Sequence, residues 1–235
     1  FRDICQPLLS KQENAMNVFE NLSLSEQARQ LRNPEGNVGI AVAAFLNDNN
    51  RHGYARVFEQ LGIADGHRVL EIGFGNGRSC ASVIAQASNV TYFGIDISST
   101  MVNEANCFNA ERVAAGQASF QLSDSAVIPF PEDSFDRIFS IGVIHFWADP
   151  VTDFAEIRRV MRPKAKMYMG CLSPRTPRAF ATAENGFHIR SVSEWEAICL
   201  AAGFTNSNVQ ELETDLLMPD GKPVKVYSMV IKAQV

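Results

Sequence analysis

The chain has 235 residues, 46% of them apolar, and its 21 Lys plus Arg against 26 Asp plus Glu leave a formal net charge of -5. That composition excludes a disordered chain and suits one sizeable core, so a single domain is expected. The acidic balance and the lack of a basic face argue against nucleic acid or an anionic membrane surface as partner, and no apolar run nears the roughly 20 residues that span a bilayer.

The opening stretch, FRDICQPLL, lacks the charge-then-apolar pattern of a secretory leader. Cys5, Cys80, Cys107, Cys171 and Cys199 are scattered, with no CxxC and no paired metal spacing. Reduced cysteines and a cytoplasmic location are expected.

Residues 1–33 are polar with interspersed apolar positions, and Ser23 with Glu26 reads as a capping box. Asn33-Pro34-Glu35-Gly36 reads as a turn. A second helical region is expected over 38–61, interrupted around 47–53. Residues 1–60 are then an N-terminal helical extension or lid on a single domain, 1–235.

A repeating rhythm follows. Strands are expected at 69–72, 90–95, 119–122, 135–140 and 166–171, and helices at 78–86, 99–114 and 151–161. Continuous apolar strands alternating with helices predict an α/β fold, with a parallel sheet covered on both faces. Ser191 and Glu194 would box a helix running to about Ala202, which Gly203 ends. Strands at 205–214 and 224–232 flank a turn at 218–223, so they pair antiparallel.

The stretch VLEIGFGNG places Gly73, Gly75 and Gly77 between the first strand and its helix. Bare backbone there lets another group approach closely, at the end of the sheet where such folds bind ligands. A dinucleotide fingerprint would need glycine where Arg78 stands, and a P-loop ending is absent. Asp96 ends the second strand, 23 residues beyond Gly73. It reads either as a carboxylate for ribose hydroxyls or as a cap on the next helix. Asp124 and Ser125 follow the third strand, where they suit an adenine edge or a plain surface turn.

VLEIGFGNG, GIDIS, LSDSAVIPFPEDSFDRIFS and IRRVMRP, in that order, resemble the class I S-adenosylmethionine-dependent methyltransferases. The small-molecule branch related to quinone and sterol methyltransferases is the most similar, over roughly residues 55–172. The resemblance implies a Rossmann-like, doubly wound, seven-stranded sheet in the order 3-2-1-4-5-7-6, the seventh strand antiparallel. It implies S-adenosyl-L-methionine as cofactor. Glu71, Gly73, Gly75 and Gly77 would line its methionine and ribose part, with Phe74 and Asn76 in the same loop. Asp96 would hold the ribose diol, Ile97 would pack on the adenine, and Asp124 with Ser125 would hold the adenine edge. Ser140 to Gly142 would face the methionine end. One departure is the turn Pro163-Lys164-Ala165, where the family has Pro-Gly-Gly. Lys at positive φ is unfavourable by about 1 kcal/mol, so another turn geometry is expected.

Methyl transfer to a small-molecule acceptor by direct in-line displacement needs positioning and water exclusion more than covalent catalysis. His145, after the fourth strand, is the candidate general base, since an imidazole titrates near 6.5. The plainer reading is a histidine bonded to a loop backbone. Phe146 and Trp147 would wall the acceptor pocket or join the core. Asn50, His52 and Tyr54 would reach substrate if the extension forms a lid, and His188 lies after the fifth strand, in a loop that could also cover the acceptor. His67 lies at the opposite end of the first strand.

Met16, Phe19, Phe45 and Phe58 would supply an apolar cover, favouring an acceptor with a hydrophobic or aromatic part. Asp149 and Asp153 are too few for a metal site, so no metal is expected. Two other readings stay open: an NAD-type oxidoreductase, and a non-catalytic cofactor-binding or protein-interaction module.

Overall fold

The computed structural model describes residues 18–176, 181–217 and 223–235. Cys5, Met16 and most of the expected turn at 218–223 lie outside them.

The chain begins with α1 (Leu24–Arg32) and α2 (Gly36–Leu61). Next come β1 (Arg68–Ile72), α3 (Cys80–Ile84), β2 (Thr91–Asp96), α4 (Ser99–Phe108), α5 (Ala110–Ala114) and β3 (Ala118–Leu122). β4 (Phe135–Ile141) leads through a 3-10 turn (Ile144–Phe146) into α6 (Pro150–Val160) and β5 (Met161–Leu172). A second 3-10 turn (Ala183–Asn185), α7 (Val192–Ala201), β6 (Asn206–Leu217) and β7 (Pro223–Gln234) complete the order.

The seven strands form one sheet ordered β3-β2-β1-β4-β5-β7-β6. β7 runs antiparallel to both β5 and β6, and the other pairings are parallel. This is the Rossmann-like arrangement expected from the sequence.

The strands are buried on both faces because successive side chains alternate between two apolar layers. Leu70, Ile138, Met167 and Ile231 pack with Phe154 of α6 and Trp195 of α7. Their neighbours Val69, Phe139, Tyr168 and Val230 pack on the opposite face with Val57 of α2, Cys80 of α3 and Met101 of α4. Cys80, Cys171 and Cys199 are buried thiols without disulfides. Among the described residues no helix is long and apolar enough to cross a membrane.

Local rules account for the helix starts. At α7 the capping box is complete: Glu194 N donates to Ser191 Oγ at 3.4 Å, and Ser191 N donates to Glu194 Oε2 at 2.7 Å. At α1 only half of it forms. Glu26 N donates to Ser23 Oγ, but the Glu26 carboxylate turns to Arg29 instead.

Four expectations need correction. α2 is one continuous helix, with no interruption at 47–53. The helix expected over 78–86 shortens to α3. The helix over 99–114 divides at Asn109, whose side-chain amide donates to the carbonyls of Gly77 and Ala105. β5 starts at Met161 and contains the Pro-Lys-Ala turn, where Lys164 takes φ 70°. The left-handed geometry survives the loss of glycine, and Lys164 N donates to Val235 O at 2.8 Å.

Candidate active site

A cavity of about 650 Å³ opens at the carboxyl ends of β1, β2 and β4, roofed by α2. The site is built outward from the β1–α3 loop, where Gly73, Gly75 and Gly77 all have positive φ. A Cβ on Gly73 would overlap Val143, in the loop after β4, so the two loops touch only because a side chain is missing. At Gly75 a Cβ would meet nothing within 4 Å. That residue leaves open space on the cavity side, not packed protein.

Asp96 faces this opening. Its Oδ2 accepts from Gly75 N at 3.0 Å, and its Oδ1 accepts from Ser98 N at 2.9 Å. Each oxygen keeps a further lone pair. Burial pushes its pKa up to about 6, against the backbone hydrogen bonds that lower it. The cap of α4 is Ser98, whose Oγ accepts from Met101 N at 3.1 Å. Asp96 therefore does not cap that helix.

Ile97 and Asp124 also line the cavity, with Ile97 39% exposed as a bare apolar surface. Asp124 Oδ1 closes a turn by accepting from Ala126 N at 2.9 Å. Ser125 lines the wall too, with its hydroxyl bonded to Asp153 Oδ1 at 2.5 Å. Burial is the first cause that raises the Asp153 pKa to about 6. Asp149 caps α6 by accepting from Thr152. Among the described residues no group of three or more His, Cys, Asp or Glu is placed to hold a metal.

Glu71 stands behind the wall. It is fully buried on β1 and accepts from Tyr54 Oη at 2.9 Å, from Tyr92 Oη at 2.7 Å, and from Ser79 Oγ. Burial raises its pKa to about 7, with the three hydrogen bonds pulling the other way. Ser140 is likewise buried, its Oγ donating to Ile72 O at 2.7 Å and tying β4 to β1. Gly77 packs against Ala105 of α4, where a Cβ would lie 2.7 Å from the alanine methyl. Glu71, Ser140 and Gly77 thus shape the loop from outside the cavity. Phe74, Asn76 and Gly142 line it directly.

The α2 helix supplies the roof. Asn47, Asn50 and Tyr54 recur at helical spacing, so one face of α2 presents all three. Asn47 Nδ2 donates to Asn76 Oδ1 at 3.1 Å, and Asn50 lies against Gly142. Asn47 escaped sequence reasoning because the expected interruption hid that face. Gly53 faces β4, where a Cβ would make ordinary contact with Ile141 at 3.4 Å. His52 lines the mouth and is exposed.

His145 departs from its sequence reading. It lies in the 3-10 turn after β4, 5% exposed, stacked on Phe187 with ring centroids 5.3 Å apart. Burial drives its pKa down to about 3. The ring is therefore neutral at neutral pH and far from the range that suits a general base. Among the described residues Nδ1 has no hydrogen-bond partner. The backbone carbonyl of His145 accepts from His188 N at 2.7 Å.

His188 sits behind that contact and does not line the cavity. His67, at the other end of β1, accepts from Ala64 N. Phe146 and Trp147 both line the cavity; Phe146 also packs with Ala28 and Phe187, and Trp147 joins the main core. Phe19 and Phe45 line the cavity, whereas Phe58 packs on Tyr54 and Phe139 beneath α2.

Comparison with known proteins places this geometry. The family model described as a methyltransferase domain matches residues 70–169. The chain is 31% identical over 131 residues to the O-methyltransferase resE of Aspergillus sclerotiorum, covering 55% of this chain and 48% of that protein. It is 30% identical to the 27-O-demethylrifamycin SV methyltransferase of Amycolatopsis mediterranei, covering 49% of this chain and 42% of that one. The chain thus spans less than half the length of these curated relatives. Among solved structures, a SAM-dependent methyltransferase from Aquifex aeolicus superposes with a TM-score of 0.61 at 21% identity, covering 83% of this chain and 98% of that one. That likeness shows the shared fold.

Proposed function

Residues 70–169 are a methyltransferase domain of the class I S-adenosylmethionine-dependent family, and from that premise we propose that the chain methylates a small molecule. S-adenosylmethionine is the cofactor of this family. When bound, it supplies a methyl group already activated on a positively charged sulfur. The branch related to quinone and sterol methyltransferases has no specific support among the relatives. One of these curated relatives is by its name an O-methyltransferase, which favours an oxygen acceptor here.

One observation carries the reading: a carboxylate held by backbone amides, with lone pairs to spare, beside an open glycine. Asp96 would grip the ribose diol, as its Gly75 and Ser98 hydrogen bonds fix its orientation. Ile97 offers an apolar face for the base, and Asp124 with Ser125 flanks it. The backbone of Gly73 to Asn76 and of Gly142 would border the methionine part. Glu71 acts as a positioning residue, clamping the loop through Ser79 and the roof through Tyr54.

α2 excludes water from the reacting end, which strengthens the electrostatics there. Transfer would be direct and in line, with no covalent enzyme intermediate. His145, neutral and lacking a partner at Nδ1, fits a hydrogen-bonding role toward the acceptor better than proton removal. We read 1–235 as one domain, with 1–60 as an N-terminal helical extension or lid, acting in the cytoplasm on an acceptor that is partly apolar or aromatic. Nucleic acid and membrane are not among the proposed partners.

The test is mass spectrometry of a panel of hydroxylated small molecules after incubation with S-adenosylmethionine. One methyl per product is expected for at least one acceptor. A panel left unmethylated by a protein that binds the cofactor would favour the non-catalytic reading.

A further inference from the structure

Two glycines stand inside regular elements for no reason that the backbone supplies. Gly53 lies within α2 and Gly170 within β5. Neither has a positive φ, so alanine could take either conformation. Glycine weakens the interior of a helix or a strand relative to alanine, and in a strand it marks places where another group comes close.

Packing does not require them either. A Cβ on Gly53 would make ordinary contact with Ile141 Cγ2 at 3.4 Å. A Cβ on Gly170 would lie 3.3 Å from Ile141 Cδ1, the free end of a side chain, which a small shift accommodates. Among the described residues no atom of α2 comes within 4 Å of the Cβ position at Gly170, and no atom of β5 within 4 Å of that at Gly53. Yet both positions lie within 3.7 Å of the same atom, Ile141 Cδ1, and both residues line the cavity.

The two glycines therefore flank one slot between roof and sheet. Ile141, Gly170 and Val230 form a single cross-strand row on β4, β5 and β7, so they share the sheet face beneath α2. Leu212 and Val226 continue that apolar floor on the same face of β6 and β7. Above it, Asn50, Gly53 and Arg56 follow one another at helical spacing along α2. Asn50 lies against Gly142, and Arg56 Nη2 donates to Thr214 Oγ1 on β6 at 2.8 Å. The slot runs under α2 from the loop after β4 toward the edge strand β6, with the two bare positions between.

We propose that Gly53 and Gly170 are specificity-determining residues: the room they leave admits the elongated apolar body of the acceptor, whose reacting oxygen lies at the Gly142 end. The placement of the oxygen rests on the methyl-transfer reading; the slot itself does not.

The test titrates 4-phenylphenol and phenol into the full chain by NMR, with and without S-adenosylhomocysteine. The second ring should tighten binding about tenfold, the scale of burying one aromatic group. Gly53→Ala and Gly170→Ala should each weaken 4-phenylphenol about fivefold and change phenol by less than about twofold, because only the longer molecule fills the slot. Neither variant should lower the melting temperature, and Gly53→Ala should raise it. A binding loss joined to equal or greater stability marks space kept for a ligand.

Equal binding of the two phenols by the parent, variants that bind 4-phenylphenol as the parent does, or an equal loss for both probes would overturn the proposal. So would a lower melting temperature in either variant, which would mean that the glycine serves the fold. Calorimetry of S-adenosylhomocysteine on the same samples keeps the two readings apart. A selective loss of 4-phenylphenol in a chain that binds no S-adenosylhomocysteine would support the slot and count against methyl transfer. Binding of S-adenosylhomocysteine with 4-phenylphenol unaffected would do the reverse.

Discussion

Tyr54 of α2 donates a 2.9 Å hydrogen bond to Oε1 of Glu71 on β1, joining the roof of the cavity to the strand that launches its glycine loop. Ser79 and Tyr92 bond the other carboxylate oxygen, so one buried acid organises a helix, a loop and two strands.

That arrangement makes stability depend on pH. Burial raises the Glu71 pKa from an ordinary 4.5 to about 7. Asp96 and Asp153 rise from 3.8 to about 6 for the same main reason. Between the ordinary and the raised values the folded state holds more protons than the unfolded chain. Stability contributed by these groups is therefore full below the lower values. It falls as pH rises through the window and levels off above about 7. His145, whose pKa burial pushes down to about 3, opposes this decline, so the check is the difference between variants: urea denaturation across this range should show stability falling less steeply, or rising more steeply, with pH in Glu71→Gln than in the parent. An unchanged slope in that variant would mean Glu71 is not the titrating group.

His145 should contribute no ionisation to the reaction near neutrality. Its ring stays neutral down to about 3 because it is buried beside Phe146 and Phe187. The dependence of kcat/KM on pH should match in the parent and in His145→Gln, while the acceptor KM rises. An inflection near 6.5 that vanishes in the variant would restore the general base.

The two glycines nearest the cavity differ in what surrounds them. Gly73→Ala combines left-handed strain with a clash against Val143, whereas Gly75→Ala carries the strain alone. The strain is about 1–2 kcal/mol at each position, so Gly73→Ala should lose clearly more stability by chemical denaturation. Equal losses would show that the loop after β4 yields without resistance.

The sheet was legible because its strands are short apolar runs with helices between them, and the terminal strand pair follows the same logic. Asp96 could be read because it ends β2 at a set distance from the loop. α2 could not. The run Asn47-Asp48-Asn49-Asn50 has poor helix propensity, yet packing of Val57 and Leu61 on the sheet carries the helix through it. Reading a break there hid the shared face of Asn47, Asn50 and Tyr54. Gly53 and Gly170 were invisible for another reason: they lie 117 positions apart, and only the fold brings both to one cavity. His145 was found by its position, but its protonation follows from burial that no local pattern records.

The account stands on Asp96 holding a ribose at the rim of the sheet. Titration calorimetry of S-adenosylhomocysteine, with NAD as comparison, tests this most directly. The parent chain should bind S-adenosylhomocysteine in preference to NAD, and Asp96→Ala should lose about 1–3 kcal/mol of that binding while remaining folded. Undiminished binding by Asp96→Ala, or a preference for NAD, would contradict it.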